Sequence, residues 1–400
     1  MVLALAALIA AYHESGEPGA LRATLPLAGR TLVERQARLA ASAGANPIVI
    51  IVERVPPALG SALDRLRRDR LPVVVARSAE EAAEAVDPFD RLLLVADGAV
   101  ADTEQLRSLA NAEGETVLTV PDGSYGEIYE RIDGTTRWAG LAAVSGALLR
   151  DTAGMLRDWD LQSTLLRRAL QSGARHVPAE GPIAILDRHS DLAELERRIL
   201  AGASPAGAGW AGRILAPLER AMTALAIASP AGPQLIGLAA AFLTGLAAAA
   251  FLYGWFWTGL FKLLLATPLE GAALRLAKLR MQDDVRHSWW AYLLPFFSGA
   301  ALVAIAYALA GTHGWGMILL AFVTLTFLIA LRMETEGRQI RFSLFLAERR
   351  GMAWLMLPFA IFGLWHAGLA ALFAYAALSF FWAQRESHAN PNDRSGLKAV

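Results

Sequence analysis

A carboxylate inside an apolar stretch is costly to bury, so Glu270 is the first residue to explain. It lies in Thr267-Pro268-Leu269-Glu270-Gly271-Ala272-Ala273-Leu274-Arg275, with Lys262 ahead of it and Lys278 behind. Within its own short helix it can pair with Arg275 or Lys278. Alone it cannot hold two divalent metals, which need several anionic ligands. The cations Lys262, Arg275 and Lys278 suit another chemistry, attracting the phosphate of an anionic lipid headgroup. Lys262 can also snorkel to the headgroup region. In the other half of the chain, Asp97 precedes Gly98 at a predicted strand end, a common turn arrangement. Asp187 stands four residues before Asp191, which can cap the helix that follows.

The elements that must position these residues differ between the halves. Up to about residue 200, short apolar runs at 3–10, 47–52, 71–76, 91–95 and 115–120 alternate with helical patterns at 31–43, 58–68, 79–85 and 103–112. That alternation predicts a mostly parallel sheet covered by helices. The apolar first eleven residues lack a positive leader and are expected to be its first strand. A hairpin is expected around Asp133-Gly134, with Trp138 in the core, and helices at 147–156, 160–171 and 191–200. Residues 202–212, rich in Gly, Ala, Ser and Pro, read as a linker closing a domain of residues 1–201.

Beyond the linker, residues 213–232 predict an interfacial helix with Arg213, Glu219 and Arg220 on one side and leucines on the other. Residues 233–384 read as a transmembrane domain. The run 234–266 exceeds the roughly 20 residues one span needs and is divided at Gly254 into two spans. Further spans at 287–310, 315–331, 352–363 and 364–382 make six, followed by a disordered tail from 385. Basic residues follow the second span (Arg275, Lys278, Arg280, Arg286), the fourth (Arg332, Arg338, Arg341, Arg349, Arg350) and the sixth (Arg385). The opposite loops have none, so both termini are expected to be cytoplasmic, with the chain in the inner (plasma) membrane. His313 and His366 fall on the far side.

Composition narrows the chemistry. Of the 400 residues 55% are hydrophobic, the net charge is zero and there is no cysteine. The charge balance argues against a nucleic-acid partner, and the cysteine count excludes disulfides, thiolate metal sites and a Cys nucleophile.

Two resemblances add to this reading. The segment from Thr267 to Tyr292 resembles the signature of membrane CDP-alcohol phosphotransferases. Gly271 and Arg275 match outright, whereas the family's four acids fall on Thr267, Glu270, Ser288 and Tyr292, and its second glycine on Asp284. Glu219-Arg220, Ser229-Pro230 and Pro233 extend the likeness. Over roughly residues 1–200, Pro26-Leu27-Ala28-Gly29-Arg30-Thr31-Leu32, Val95-Ala96-Asp97-Gly98 and Leu186-Asp187 with Asp191 resemble nucleotidyltransferases of GT-A-like α/β fold. A fusion of an inositol-phosphate cytidylyltransferase with a CDP-alcohol phosphotransferase is a known domain order.

The resemblance implies an α/β GT-A-like cytoplasmic domain followed by an all-α six-helix transmembrane domain, assembled as a homodimer. It implies Mg2+ at Asp97 and Asp187, and contacts to an anionic lipid or CDP-linked ligand at Arg22, Lys262, Glu270, Gly271 and Arg275. The chain also departs from both families. The glycine-rich triphosphate turn is replaced by Ala11-Tyr12-His13-Glu14-Ser15-Gly16-Glu17-Pro18-Gly19, and the lysine before Pro26 is missing, leaving Arg22. Acids at a triphosphate site repel it, and Asp283 and Asp284 in a solvated loop do not replace the lost metal ligands. The expected function is therefore a catalytically degenerate scaffold or ligand sensor in phospholipid or polar-headgroup metabolism. The alternative is an active membrane transferase, and a transporter is a third reading.

Overall fold

The computed structural model describes residues 4–16, 19–122, 129–155, 160–180, 183–187, 192, 195, 209–229, 231–281, 288–335 and 345–389. Glu17, Asp191, Asp283, Asp284, Arg286, Arg338 and Arg341 lie outside the described residues, as do linker positions 202–208, the tail from 390 and nearly all of the helix expected at 191–200. The chain divides into two compact units, Met1–Arg198 and Ile199–Val400.

The first unit is built on a seven-stranded sheet. Its strands are β1 (Leu5–Ala10), β4 (Ile48–Ile51), β5 (Val73–Ala76), β6 (Arg91–Val95), β8 (Thr116–Pro121), β9 (Thr136–Ser145) and β10 (Arg175–Pro178), in the order β10-β8-β9-β6-β1-β4-β5. The intervening short strands, β2 (Pro26–Leu27) with β3 (Arg30–Thr31) and β7 (Ala99–Val100) with β11 (Ala184–Ile185), form two-stranded ribbons. β1 runs parallel to β4 and β6, while β9 is antiparallel to both β6 and β8. The central strands are apolar on both faces because helices cover both, and Leu8, Ile9, Ile48, Ile50, Leu93 and Trp138 are buried.

Local signals start the helices where the sequence places them. At α1 (Leu32–Ser42), Thr31 and Glu34 form a reciprocal capping box. At α6 (Leu161–Gln171) the Asp160 carboxylate accepts the N–H groups of Gln162 and Ser163. Asp133 organises the turn into β9, accepting the N–H groups of Thr135 and Thr136 at 2.7 and 2.8 Å.

The second unit is helical. Four of its helices are long and apolar enough to cross a membrane: Pro233–Leu252, Trp289–His313, Gly316–Thr335 and Trp365–His388. Four replaces the six expected. The helix Phe256–Leu279 carries Lys262, Glu270, Arg275 and Lys278, too many charges for a span by composition. The helix Arg349–Ile361 has 13 residues, well short of the roughly 20 that cross a bilayer. The breaks fall at Gly254 and Gly363, whose φ of 74° and 69° suit residues without a Cβ.

The helix expected to lie flat at 213–232 needs correction too. It is two helices, Trp210–Ile214 and Ala216–Ala228. Arg213 and Arg220 are exposed and Leu215 is buried, as expected, but Glu219 is buried while Leu218 and Leu225 are exposed, so the expected sidedness fails at Glu219 and at two of the leucines. Two arginines from other helices compensate the Glu219 charge, which lets it turn inward. Small residues let the helices approach closely: Ala240, Ala241, Ala273 and Ala277 pack with Trp290 and Leu294. A larger cluster joins Phe251, Leu260, Ile305, Met352, Met356 and Leu369.

Candidate functional site

In the first unit the chain leaves β1 toward β4 and β5 on one side, and β6 returns on the other. The crevice at the carboxyl ends of β1 and β6 is therefore the topological switch point where open α/β sheets bind ligands. Tyr12 and His13 follow β1, and Asp97 follows β6, so they face each other across it. Asp97 is fully buried at its side chain. One carboxylate oxygen, Oδ2, accepts the backbone N–H of Tyr12 at 2.9 Å and of His13 at 2.8 Å. The other, Oδ1, is buried and makes no hydrogen bond among the described residues.

Asp160 brings a second carboxylate into this cleft. It accepts the Tyr12 hydroxyl and the Ser163 hydroxyl, the latter at 2.7 Å. His13 is set between the two acids, with Nδ1 3.6 Å from Asp97 and Nε2 4.0 Å from Asp160. The Asp97 carboxylate raises the His13 imidazole above its ordinary value against the opposing effect of burial. Burial, then the Asp160 charge, raises the Tyr12 phenol well above its usual value.

Of the residues expected at this site, Arg22 donates its Nε–H to Asp187 Oδ1 at 2.7 Å. Both border Gly98: a Cβ there would lie 2.5 Å from the Leu186 carbonyl oxygen and 3.5 Å from Arg22 Cδ. Glu14 pairs with Arg54 at 2.7 Å. Among the described residues no group of three or more His, Asp or Glu side chains is gathered for a metal ion. Asp97 Oδ1 offers one oxygen that fits Mg2+, whereas Asp187 already holds the Arg22 guanidinium. As a pair they do not fit the ion without breaking that contact.

Asp160, Tyr12 and Gln162 were not foreseen as site residues. The cap preceding a helix was legible at Asp160, but the hydroxyl it accepts lies 148 positions earlier.

The second unit contains a partly open cavity of about 1080 Å³. Its body is apolar, with Phe251, Leu260, Leu302, Ile305, Leu328 and Met356 on the wall. Its polar wall holds Thr267, Glu270, Ser298, Arg332, Glu348 and Arg349. Glu270 accepts Arg349, which also reaches the Ser298 hydroxyl at 3.4 Å. Thr267 accepts the Trp354 indole N–H at 2.9 Å. Ser288 caps the next helix without a side-chain bond, and Tyr292 is 62% exposed.

Arg275 is buried and donates to Glu219 Oε2 at 2.9 Å. Arg350 donates to the other Glu219 oxygen and, at 3.3 Å, to the Thr267 carbonyl. Gly271 lies against this triad. Neither Arg275 nor the half-buried Lys262 is among the residues lining the cavity. The partners Glu270 acquires, Arg349 and the more distant Arg350, come from a helix about 80 positions away rather than from its own helix. Sequence spacing carries no signal of that pairing.

No protein-family model matches the chain, and no curated protein matches it in sequence. Among solved structures, 4-diphosphocytidyl-2C-methyl-D-erythritol synthase is similar at 15% identity and a TM-score of 0.35, over 49% of this chain and 98% of that one.

Proposed function

We infer that this chain is a membrane-embedded relative of nucleotidyl- and CDP-alcohol transferases that binds a phosphate-bearing headgroup ligand without turning it over. It serves as a scaffold or ligand sensor in phospholipid or polar-headgroup metabolism. One observation carries the reading: carboxylates at both candidate sites are engaged by the protein's own arginines. Asp187 takes Arg22, Glu270 takes Arg349, and Glu219 takes Arg275 and Arg350. A guanidinium on a carboxylate supplies the positive charge that a divalent ion would otherwise bring. The lipid bilayer is its environment. A homodimer with the N-terminal unit and the C-terminus in the cytoplasm follows from the resemblance and from the basic loops, and no nucleic acid is involved.

The alternative, an active membrane transferase, is favoured by the buried, unpartnered Oδ1 of Asp97. In that reading Mg2+ sits at Asp97 and Asp187, and Arg22 moves from Asp187 to a substrate phosphate. Calorimetric titration of the detergent-purified chain with CTP, CDP-inositol and CDP-diacylglycerol, with and without magnesium, separates the two when run beside a product assay. Binding that ignores magnesium, with no product formed, is expected. Magnesium-dependent product that disappears in Asp97→Asn or Glu270→Gln would establish the transferase.

A further inference from the structure

The charges on the cavity wall specify more about its occupant. Two are negative, Glu270 and Glu348, and two are positive, Arg332 and Arg349. Glu270 is 6% exposed. Its Oε1 holds Arg349, while Oε2 is buried, has no hydrogen-bond partner among the described residues and lies 4.0 Å from Arg350 Nε, which has none among them either. Glu348 accepts the Gly209 N–H at 3.2 Å. The polar wall is thus balanced in charge, and an acceptor oxygen remains on it.

Resting on the reading above that the chain binds a headgroup ligand, we propose that the cavity takes a zwitterionic phospholipid, its ammonium at Glu270 and Glu348 and its phosphate at Arg349 and Arg332. A purely anionic head would draw Arg349 away and leave the buried Glu270 with the 4.0 Å approach of Arg350, itself held by Glu219, as its compensation, which is unfavourable. A purely cationic head would take Glu270 and strand Arg349 in the same way. A head carrying both charges inserts between the two residues and gives each a partner in a medium where charge pairing is strong. The apolar body then receives an acyl chain, and the cavity exceeds the upper end of the roughly 300–1,000 Å³ that drug-sized ligands occupy. Lys262, Arg275 and Lys278, which favoured an anionic lipid by count, do not line this wall.

The test is native mass spectrometry of the full chain in detergent with three dioleoyl lipids: phosphatidylethanolamine, phosphatidylglycerol and trimethylammonium-propane. Phosphatidylethanolamine is expected to bind about tenfold more tightly than either singly charged lipid, a difference of roughly 1.4 kcal/mol. The double variant Glu270→Gln with Arg349→Gln should erase that preference. Leu302→Trp, which fills the apolar body, should weaken binding of all three. Equal or tighter binding of phosphatidylglycerol overturns the proposal, as does unchanged phosphatidylethanolamine affinity in Leu302→Trp, which would put the lipid on the outer surface. The wild-type comparison decides even if the double variant fails to fold. These outcomes leave the binding-without-turnover reading standing, since that reading falls if product forms or if CTP, CDP-inositol and CDP-diacylglycerol all fail to bind.

Discussion

Glu219 and Gly271 compete for the same space: a Cβ added to Gly271 would stand 2.2 Å from the Glu219 carboxylate carbon and 2.3 Å from an Arg350 terminal nitrogen. The glycine that matches the phosphotransferase signature therefore makes room for an ion triad. Gly271→Ala has to push apart side chains locked by mutual charge, which should destabilise the chain by about 1–3 kcal/mol. Gly311, with nothing within 4 Å of its added Cβ, is the control. Thermal unfolding in detergent should show Gly271→Ala melting well below Gly311→Ala, and equal melting would refute the steric argument.

Acid should expose the Glu34 network. Burial raises this carboxyl, but hydrogen bonds from Arg65, the Thr31 backbone and Arg30 outweigh it and hold the group at about 2, against an ordinary value of 4.5. Because the folded value is depressed, the stabilisation is complete above about 4.5 and is lost as pH falls toward about 2. Glu34→Gln removes it at every pH. Unfolding followed by circular dichroism should show wild type well above the variant at pH 6, with the gap closing below pH 4. A gap that stays constant with pH would mean that Glu34 acts by shape rather than charge.

The sheet of the first unit was readable because its central strands are short apolar runs bounded by turn residues. β6 lies where 91–95 was expected, and β1, β4, β5 and β8 differ from expectation by one or two residues at their ends. Asp97 could be placed at a strand end for the same reason. Its surroundings could not, because Tyr12 and His13 reach it from the loop after β1 and Gln162, beside Asp160, accepts its N–H from another element, a juxtaposition that depends on sheet order. In the second unit, apolar runs located the helices, but Arg349 and Arg350 read as loop charges marking a membrane side. Arg350 is buried and Arg349 half-buried, and burial of such charges becomes tolerable only through pairing with Glu270 and Glu219. Glu219 was placed on a polar face by the same logic and turned inward for the same reason.

Gly98 joins the β6 end to the segment carrying Asp187. Its φ is +78°, a conformation that L side chains adopt with strain, and its added Cβ would meet the Leu186 carbonyl oxygen at 2.5 Å. That region is held by the Leu186 N–H donating to the Gly98 carbonyl at 2.9 Å. Gly98→Ala should lower stability by more than the roughly 1 kcal/mol of strain alone and should prise residues 183–187 from β7, with which Ala184 and Ile185 pair. Hydrogen exchange read by mass spectrometry should show protection lost at Ile185 and Leu186, with β4 and β5 unaffected. Unchanged protection would mean that the segment is anchored elsewhere.

Tyr12 and Asp160 offer a spectroscopic test of the cleft. Burial, reinforced by the Asp160 charge, raises the Tyr12 phenol above its ordinary value of 10.0. The contribution to stability is complete below about pH 10 and declines as pH rises beyond it, since the unfolded chain ionises first. Asp160→Asn removes the charge while keeping an oxygen to accept the Tyr12 hydroxyl and the Gln162 N–H, so α6 should stay capped at a cost below about 1 kcal/mol. Ultraviolet difference titration of the full chain, with Tyr12→Phe subtracted to isolate one phenol among seven tyrosines, should place Tyr12 ionisation at lower pH in Asp160→Asn than in wild type. Coincident curves would assign the raised value to burial alone, with the Asp160 carboxylate directed away from the phenol in solution.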